Sequence, residues 1–266
     1  MTLDWSGLEH AYGSASDLSR LFDEIGDPEL ADQAWEELWE SLCHQRTVYT
    51  ASFAALPVLT DIATGRRAGS RWQALALAGR IVVEEQQLHE PGYVQARFPD
   101  AIKELRELTQ NHVMTVPFKG GEDEFLYWLE HLLAFEGEPL WRGCLACKTY
   151  AVVCPSCAQQ LLIDLSRTPS GTRRPHPSGL VRVGREGPVL TGIRRAASAD
   201  LPPLAARLYQ MANHAGQPAA AEHLTRLFGR TTCPDCASDF SVPDQVVAFQ
   251  ASRKRITRGP SRDISR

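Results

Sequence analysis

The chain has 266 residues, with 32 acidic and 28 basic side chains, seven cysteines and eight histidines. An apolar fraction of 43% with 23% charged residues is ordinary for a folded globular chain; it excludes a collagen, a wholly disordered chain and a small disulfide scaffold. The net charge of −4 hides a division: residues 1–140 carry 24 acidic and 10 basic groups, and residues 141–266 carry 8 and 18. Such asymmetry points to two parts with different partners, or to two parts that attract each other.

The basic groups are 24 Arg and only 4 Lys, the bias of a GC-rich bacterial genome, which gives the arginines no functional weight by itself. The first residues lack the basic and apolar regions of a secretory signal. No run reaches the roughly 18 apolar residues needed to span a bilayer. A cytoplasmic protein without a membrane partner is expected. Structural disulfides are rare in that compartment, so Cys-x-x-Cys pairs read first as metal ligands or redox centres.

Residues 1–140 read as paired helices. Ala31, Trp35, Leu38, Trp39 and Leu42 recur at helical spacing and predict an amphipathic helix over 31–42, with Asp27 as its cap and Pro28 at its start. A shorter helix is expected over 17–25, and others over 52–64, 70–87, 99–111 and 122–136. Glu122, Asp123 and Glu124 suit the positive start of the last one. Six helices grouped as three hairpins start near 17, 52 and 98, and repeats of about 40–47 residues are typical of HEAT-like arrays. An irregular helical bundle is the competing architecture.

The run Trp35-Glu-Glu-Leu-Trp39, then His44-Gln-Arg-Thr-Val-Tyr49, then Ala54-Ala-Leu-Pro57-Val-Leu resembles a group of bacterial HEAT-like repeat proteins. In that group a Trp-rich helix leads into a His-Gln-Gly-Thr-Val-Tyr turn. Arg46 stands here where the turn usually carries Gly. The resemblance covers roughly residues 8–90 and implies a fold rather than a reaction. His44, Gln45 and Tyr49, with Trp35 and Trp39 of the preceding helix, are candidate binding residues. The competing reading ties them into the turn: imidazole and amide satisfy backbone groups while Tyr49 packs on Trp39. Cys43 reads as a buried free thiol.

Six cysteines form three pairs: Cys144/Cys147, Cys154/Cys157 and Cys233/Cys236. The second and third are Cys-Pro-x-Cys turns, each followed by three small or polar residues and a strand-like segment, and they resemble the two knuckles of a zinc ribbon. Two such turns supply the four thiolates that one Zn²⁺ accepts tetrahedrally. Cys154, Cys157, Cys233 and Cys236 are therefore the expected ligands of one structural zinc per chain. Cys144 and Cys147 compete for a local site with Cys154 and Cys157. A thioredoxin-like redox motif at Cys154 is a further alternative.

Between the knuckles, residues 180–183 and 188–193 read as strands, 168–179 as a loop, and 203–215 with 217–230 as a helical hairpin. Six basic groups with one acid after residue 250 read as a disordered tail. The expected fold is mainly α. A HEAT-like α-solenoid over 1–140 precedes a small α+β zinc-ribbon-like module over 141–250, with inserted strands and a helical hairpin, and a basic tail over 251–266. No phosphate loop, nucleophile elbow or paired-carboxylate motif is present. The expectation is a non-enzymatic binding protein whose acidic helical surface engages a protein partner. The resemblance implies adaptor or toxin-immunity roles, and the acidic face would suit a basic toxin as partner. The alternative is a nucleic-acid-binding regulator acting through the basic second half and tail.

Overall fold

Helices in the first half follow from apolar residues spaced three and four apart, each burying one stripe against its neighbours. The computed structural model describes residues 4–115, 117–165, 180–183 and 189–257, with side chains described outside 180–183, 189–190 and 251–257. The chain divides into two units, Met1–Ala146 and Cys147–Arg266. Among the described residues there are eleven α-helices and three antiparallel sheets. No described helix is long and apolar enough to cross a membrane.

The first unit opens with a two-residue hairpin, β1 (Glu9–His10) and β2 (Gly13–Ser14), and continues into α1 (Leu18–Glu24) and α2 (Ala31–Leu42). Ala34, Trp35, Leu38 and Leu42 form the buried face of α2. Asp27 does not cap this helix. Its carbonyl and its Oδ1 close a turn by accepting from Leu30, Ala31 and Glu29, and Leu30 is the residue before the first turn. A second hairpin, β3 (Cys43–His44) and β4 (Thr47–Val48), then reverses the chain.

The helix expected over 52–64 is two: α3 (Thr50–Ala54) and α4 (Leu56–Thr64). Pro57 has no N–H to give to the preceding turn, which explains the break at Ala55. Gly65 ends α4 with φ 84°, a left-handed conformation that suits glycine. There follow α5 (Arg71–Val83), a 3-10 turn at Glu85–Gln87, α6 (Tyr93–Arg97), α7 (Pro99–Val113) and α8 (Glu122–Phe135). Helix α5 packs on α4 and α8, and α7 packs on α4 and α8. The first pair, α1 and α2, meets this group through α2 against α5. Leu59, Ile62, Leu77, Ile81, Phe125 and Leu133 are buried where these helices meet. Each such side chain contributes about 1.5–3 kcal/mol.

In the second unit six strands run in the spatial order β10-β9-β8-β7-β6-β5, every neighbour antiparallel. They are β5 (Thr149–Val153), β6 (Gln160–Asp164), β7 (Leu180–Val183), β8 (Val189–Arg194), β9 (Arg230–Thr232) and β10 (Asp239–Ser241). Strand β8 is shared: its first part pairs with β7, and Ile193 and Arg194 pair with β9. Tyr150, Val152, Leu161 and Ile163 alternate inward along β5 and β6. A helical hairpin, α9 (Pro203–His214) and α10 (Pro218–Leu227), connects β8 to β9. Arg226 of α10 is buried, donating to the Leu165 carbonyl at 2.9 Å and pairing with Glu222.

Helix α11 (Val242–Thr257) leaves β10 directly and packs on β5. Residues 251–257 are therefore helical, where a disordered tail was expected, because the helix begun at Val242 continues through them. Residues 258–266 of that tail, and the loop expected over 168–179, lie outside the described residues.

Candidate metal centre

Strand β5 runs into Cys154 and strand β9 into Cys233, and each cysteine starts a six-residue knuckle that returns as β6 or β10. The knuckles close alike. Cys154 N–H donates to Gln159 at 2.9 Å and Cys233 N–H to Ser238 at 2.8 Å. Ala158 N–H donates to the Cys154 carbonyl at 3.1 Å, and Ala237 N–H to that of Cys233 at 3.0 Å. A hairpin knuckle thus follows Cys154 in place of the helix that a thioredoxin-like site requires.

The two hairpins lie at opposite edges of the six-stranded order. In a flat sheet their turns would stand about 19 Å apart, four strand spacings of roughly 4.8 Å. Instead all four Sγ atoms of Cys154, Cys157, Cys233 and Cys236 lie within 4.8 Å of one another. The sheet must curl, and the shared strand β8 is where its pairing passes from one half to the other.

Across the knuckles Cys154 faces Cys236, and Cys157 faces Cys233, each pair with sulfurs 3.7 Å apart. A tetrahedral ion with metal–sulfur bonds of about 2.3 Å requires sulfurs about 3.8 Å apart. Cys154 and Cys233 are buried, and Cys157 and Cys236 are exposed. The four thiols can hold one metal ion, and no other group of three or more metal-ligating side chains exists among the described residues.

The thiols compete for negative charge. Burial opposes ionisation of Cys154, but N–H groups of Cys157 and Ser156 and the Ser238 hydroxyl outweigh it and hold that thiol at about 6. At Cys157 the Gln159 N–H favours the thiolate, yet desolvation and the neighbouring thiols prevail and push it up to about 12. Burial raises Cys233, and the Ser238 hydroxyl lowers Cys236. A bound cation removes the repulsion that keeps the cluster partly protonated. Ser238, 3.2 Å from Cys236 Sγ and 3.5 Å from Cys154 Sγ, serves both knuckles; nothing in its sequence context marked it.

Cys144 and Cys147 stand outside the cluster. The Cys144 thiol is buried and donates to the Leu140 carbonyl at 3.3 Å. Cys43 is buried on β3, which pushes its thiol up to about 11.

The candidate residues of the turn separate into two places. His44 Nδ1 bonds the Glu40 carboxylate at 2.5 Å, not a backbone group, and Tyr12 stands edge-on to its ring. Gln45 is exposed with φ 47°. The backbone clamp comes from Gln87, whose Nε2 donates to the Arg46 carbonyl at 2.6 Å and whose Oε1 accepts from Val48 at 3.3 Å. Tyr49 precedes α3, its N–H bonded to Ser52 Oγ at 2.8 Å, and no ring contact with Trp39 is found among the described residues. Trp39 Nε1 instead donates to Gln73 at 3.0 Å. Trp35 and Trp39 line one groove of about 550 Å³ with Asp32, Glu36, Glu40 and Gln73.

Comparison with known protein families, with characterised proteins and with solved structures gives no match to this chain.

Proposed function

We propose that this chain is a non-enzymatic protein-binding protein of the adaptor or toxin-immunity type, held together in its second unit by one structural zinc. The observation that carries the zinc assignment is the donor set. Four thiols at tetrahedral spacing would complete the coordination of Zn²⁺ and leave no open position for a substrate, the arrangement of a structural site. Cys154 and Cys157 would hold it from one knuckle, and Cys233 and Cys236 from the other. When bound, the metal supplies cross-linking rather than chemistry.

In this reading the pairs α1–α2, α4–α5 and α7–α8 are three degenerate HEAT-like repeats, and their acidic surface is what the partner meets. The packing of α5 on both α2 and α8, and of α4 on α7, supports stacked pairs. The charge supports a basic protein partner, a toxin among them. The second reading, nucleic-acid binding through the basic half, draws support from Arg253, Lys254 and Arg255 lying near the end of α11.

Metal analysis tests the zinc: one zinc per chain is expected, lost in Cys233→Ser and kept in Cys144→Ser. Affinity purification of the tagged chain after nuclease treatment, at about 50 mM salt, tests the function. A stoichiometric protein partner is expected. Retention of duplex DNA or RNA alone replaces this reading with the second.

A further inference from the structure

We propose that the outer edge of β5 receives an extended, uncharged segment of a partner protein as an added strand, its apolar side chains entering the hollow that β5 shares with α11. The site lies in the second unit and goes beyond the acidic helical surface assigned to a partner above.

The hydrogen-bond phase of the sheet leaves this edge open. Leu165 N–H donates to the Lys148 carbonyl at 2.7 Å, and Cys154 N–H to that of Gln159 at 2.9 Å. Bonded pairs alternate along an antiparallel ladder, so Tyr150 and Val152 bond across to Ile163 and Leu161. Thr149, Ala151 and Val153 turn their N–H and carbonyl groups the other way, and none of these groups has a hydrogen-bond partner among the described residues. All three residues are exposed. Edge strands are ordinarily protected by shortness, charge or proline. The opposite edge, β10, has three residues, and its Asp239 pairs with Arg194 and Arg230. β5 has five residues and none of these protections.

Beside that edge lies a hollow of about 550 Å³. Residues 149–152 all line it, and successive residues of a strand point to opposite faces, so the hollow meets β5 along its edge. Leu161, Leu162, Val246 and Phe249 supply apolar walls, and no charged side chain lines it. Helix α11 packs on β5 and forms one side. A strand edge beside a helix, with an apolar hollow between, suits an extended peptide: main-chain bonds give affinity, and alternate side chains fill the hollow. A charge on the segment would lose its water there and find no partner, so an uncharged segment fits. The β5 of a second copy fits less well, because its own α11 packs on it and two helices would compete for one hollow.

The probe is the peptide fluorescein-Gly-Ser-Thr-Val-Thr-Val-Thr-Ser-Gly-amide, followed by anisotropy as the full chain is added at about 150 mM salt. Saturable binding with a Kd of about 0.1 mM or tighter is expected. N-methylation of its valines and N-methylation of its threonines place the methyl groups on opposite edges of the added strand. One of the two peptides should bind at least about tenfold more weakly, and the other within about threefold of the parent. Ala151→Pro removes an N–H that β6 does not use, so the fold should persist by circular dichroism while binding falls about tenfold or more. The methylated peptides use the unaltered chain, so they decide the matter even if that variant unfolds. No binding at about 1 mM, equal effects of the two methylation patterns, or full binding by a folded Ala151→Pro chain overturns the site. A dimer in sedimentation that Ala151→Pro converts to a monomer also overturns it and gives the edge to a second copy. Peptide binding that tightens about tenfold when residues 258–266 are deleted overturns it in favour of the chain's own end.

Discussion

Ala158 and Ala237 occupy the same place in the two knuckles, one residue after the second cysteine, and both have a left-handed backbone, with φ 61° and 59°. The tight return to the strand demands that conformation: each alanine N–H donates to the carbonyl of the first cysteine in its knuckle. A side chain there costs about 1–2 kcal/mol compared with glycine.

Ala158→Gly and Ala237→Gly should therefore stabilise the second unit. Glycine gains freedom in the unfolded chain, which offsets about 0.4–1 kcal/mol of the relief. A net gain of about 0.5–1 kcal/mol per substitution is expected, read as a raised midpoint in urea unfolding. A lowered midpoint in both variants contradicts the left-handed knuckle.

At Gly79 the absent side chain makes room for another helix. A Cβ there would lie 2.6 Å from His131 Nδ1 and 2.8 Å from its Cβ, and the ring, itself buried, has nowhere to retreat. Helix propensity favours alanine at this position by about 1 kcal/mol. Overpacking costs about 1–3 kcal/mol, and should win. Gly79→Ala is expected to destabilise the first unit, and adding His131→Ala should recover part of the loss. A more stable Gly79→Ala chain would show that α5 and α8 do not meet here.

Glu130 and His131 are neighbours on α8 with opposed pH dependence. Burial raises the Glu130 carboxyl from 4.5 to about 7, against the Ala146 N–H and the charge of Arg80. Burial, aided by Arg80, lowers His131 from 6.5 to about 3. Between about 4.5 and 7 the folded chain holds more protons at Glu130 than the unfolded chain does, so this group makes stability fall as pH rises. His131 works the other way: the unfolded chain holds more protons between about 3 and 6.5, so stability falls as pH drops. Glu130→Gln removes the first slope and leaves the second. Relative to the parent, its stability should rise by about 1.4 kcal/mol per pH unit across that window and level off on either side. Parallel stability curves for the two chains would refute the raised carboxyl.

Arg46 holds φ 70° in the turn after α2, beside Gln45 at φ 47°. Its guanidinium pairs with Glu84 at 2.8 Å, but an exposed pair contributes only about 0–1 kcal/mol. Arg46→Ala loses the pair and keeps the strained backbone, whereas Arg46→Gly loses the pair and relieves it. The glycine variant should be the more stable of the two by about 1 kcal/mol, by thermal or urea unfolding. The reverse order would place residue 46 outside the left-handed region.

Much of the first unit was legible because its helices are local objects. The spacing of Ala31, Trp35, Leu38 and Leu42 contains the whole of α2, and Pro99 marks the start of α7. What escaped was work done at a distance. Gln87 clamps a turn some forty residues earlier in the chain, and buried Glu85 holds the N–H groups of Gly92 and Val94 together with Arg142. Neither residue sits in a motif, so only the folded chain shows its partners.

At the cysteine cluster the division is sharper. Two Cys-Pro-x-Cys turns, each leading into a strand, are local chemistry, and the sequence by itself determined that each would present two thiols on one side of a tight loop. It also determined the longer helices of the first unit, whose period of 3.6 residues is written in consecutive side chains, but not α11, which was expected as a strand-like segment and a tail. Only the tertiary structure decided which turns meet. Cys157 and Cys233 are 76 residues apart, and six antiparallel strands must curl before their sulfurs approach to 3.7 Å. Cys144 and Cys147, far closer along the chain, are left outside because the strand pairing, not sequence distance, sets what reaches the cluster.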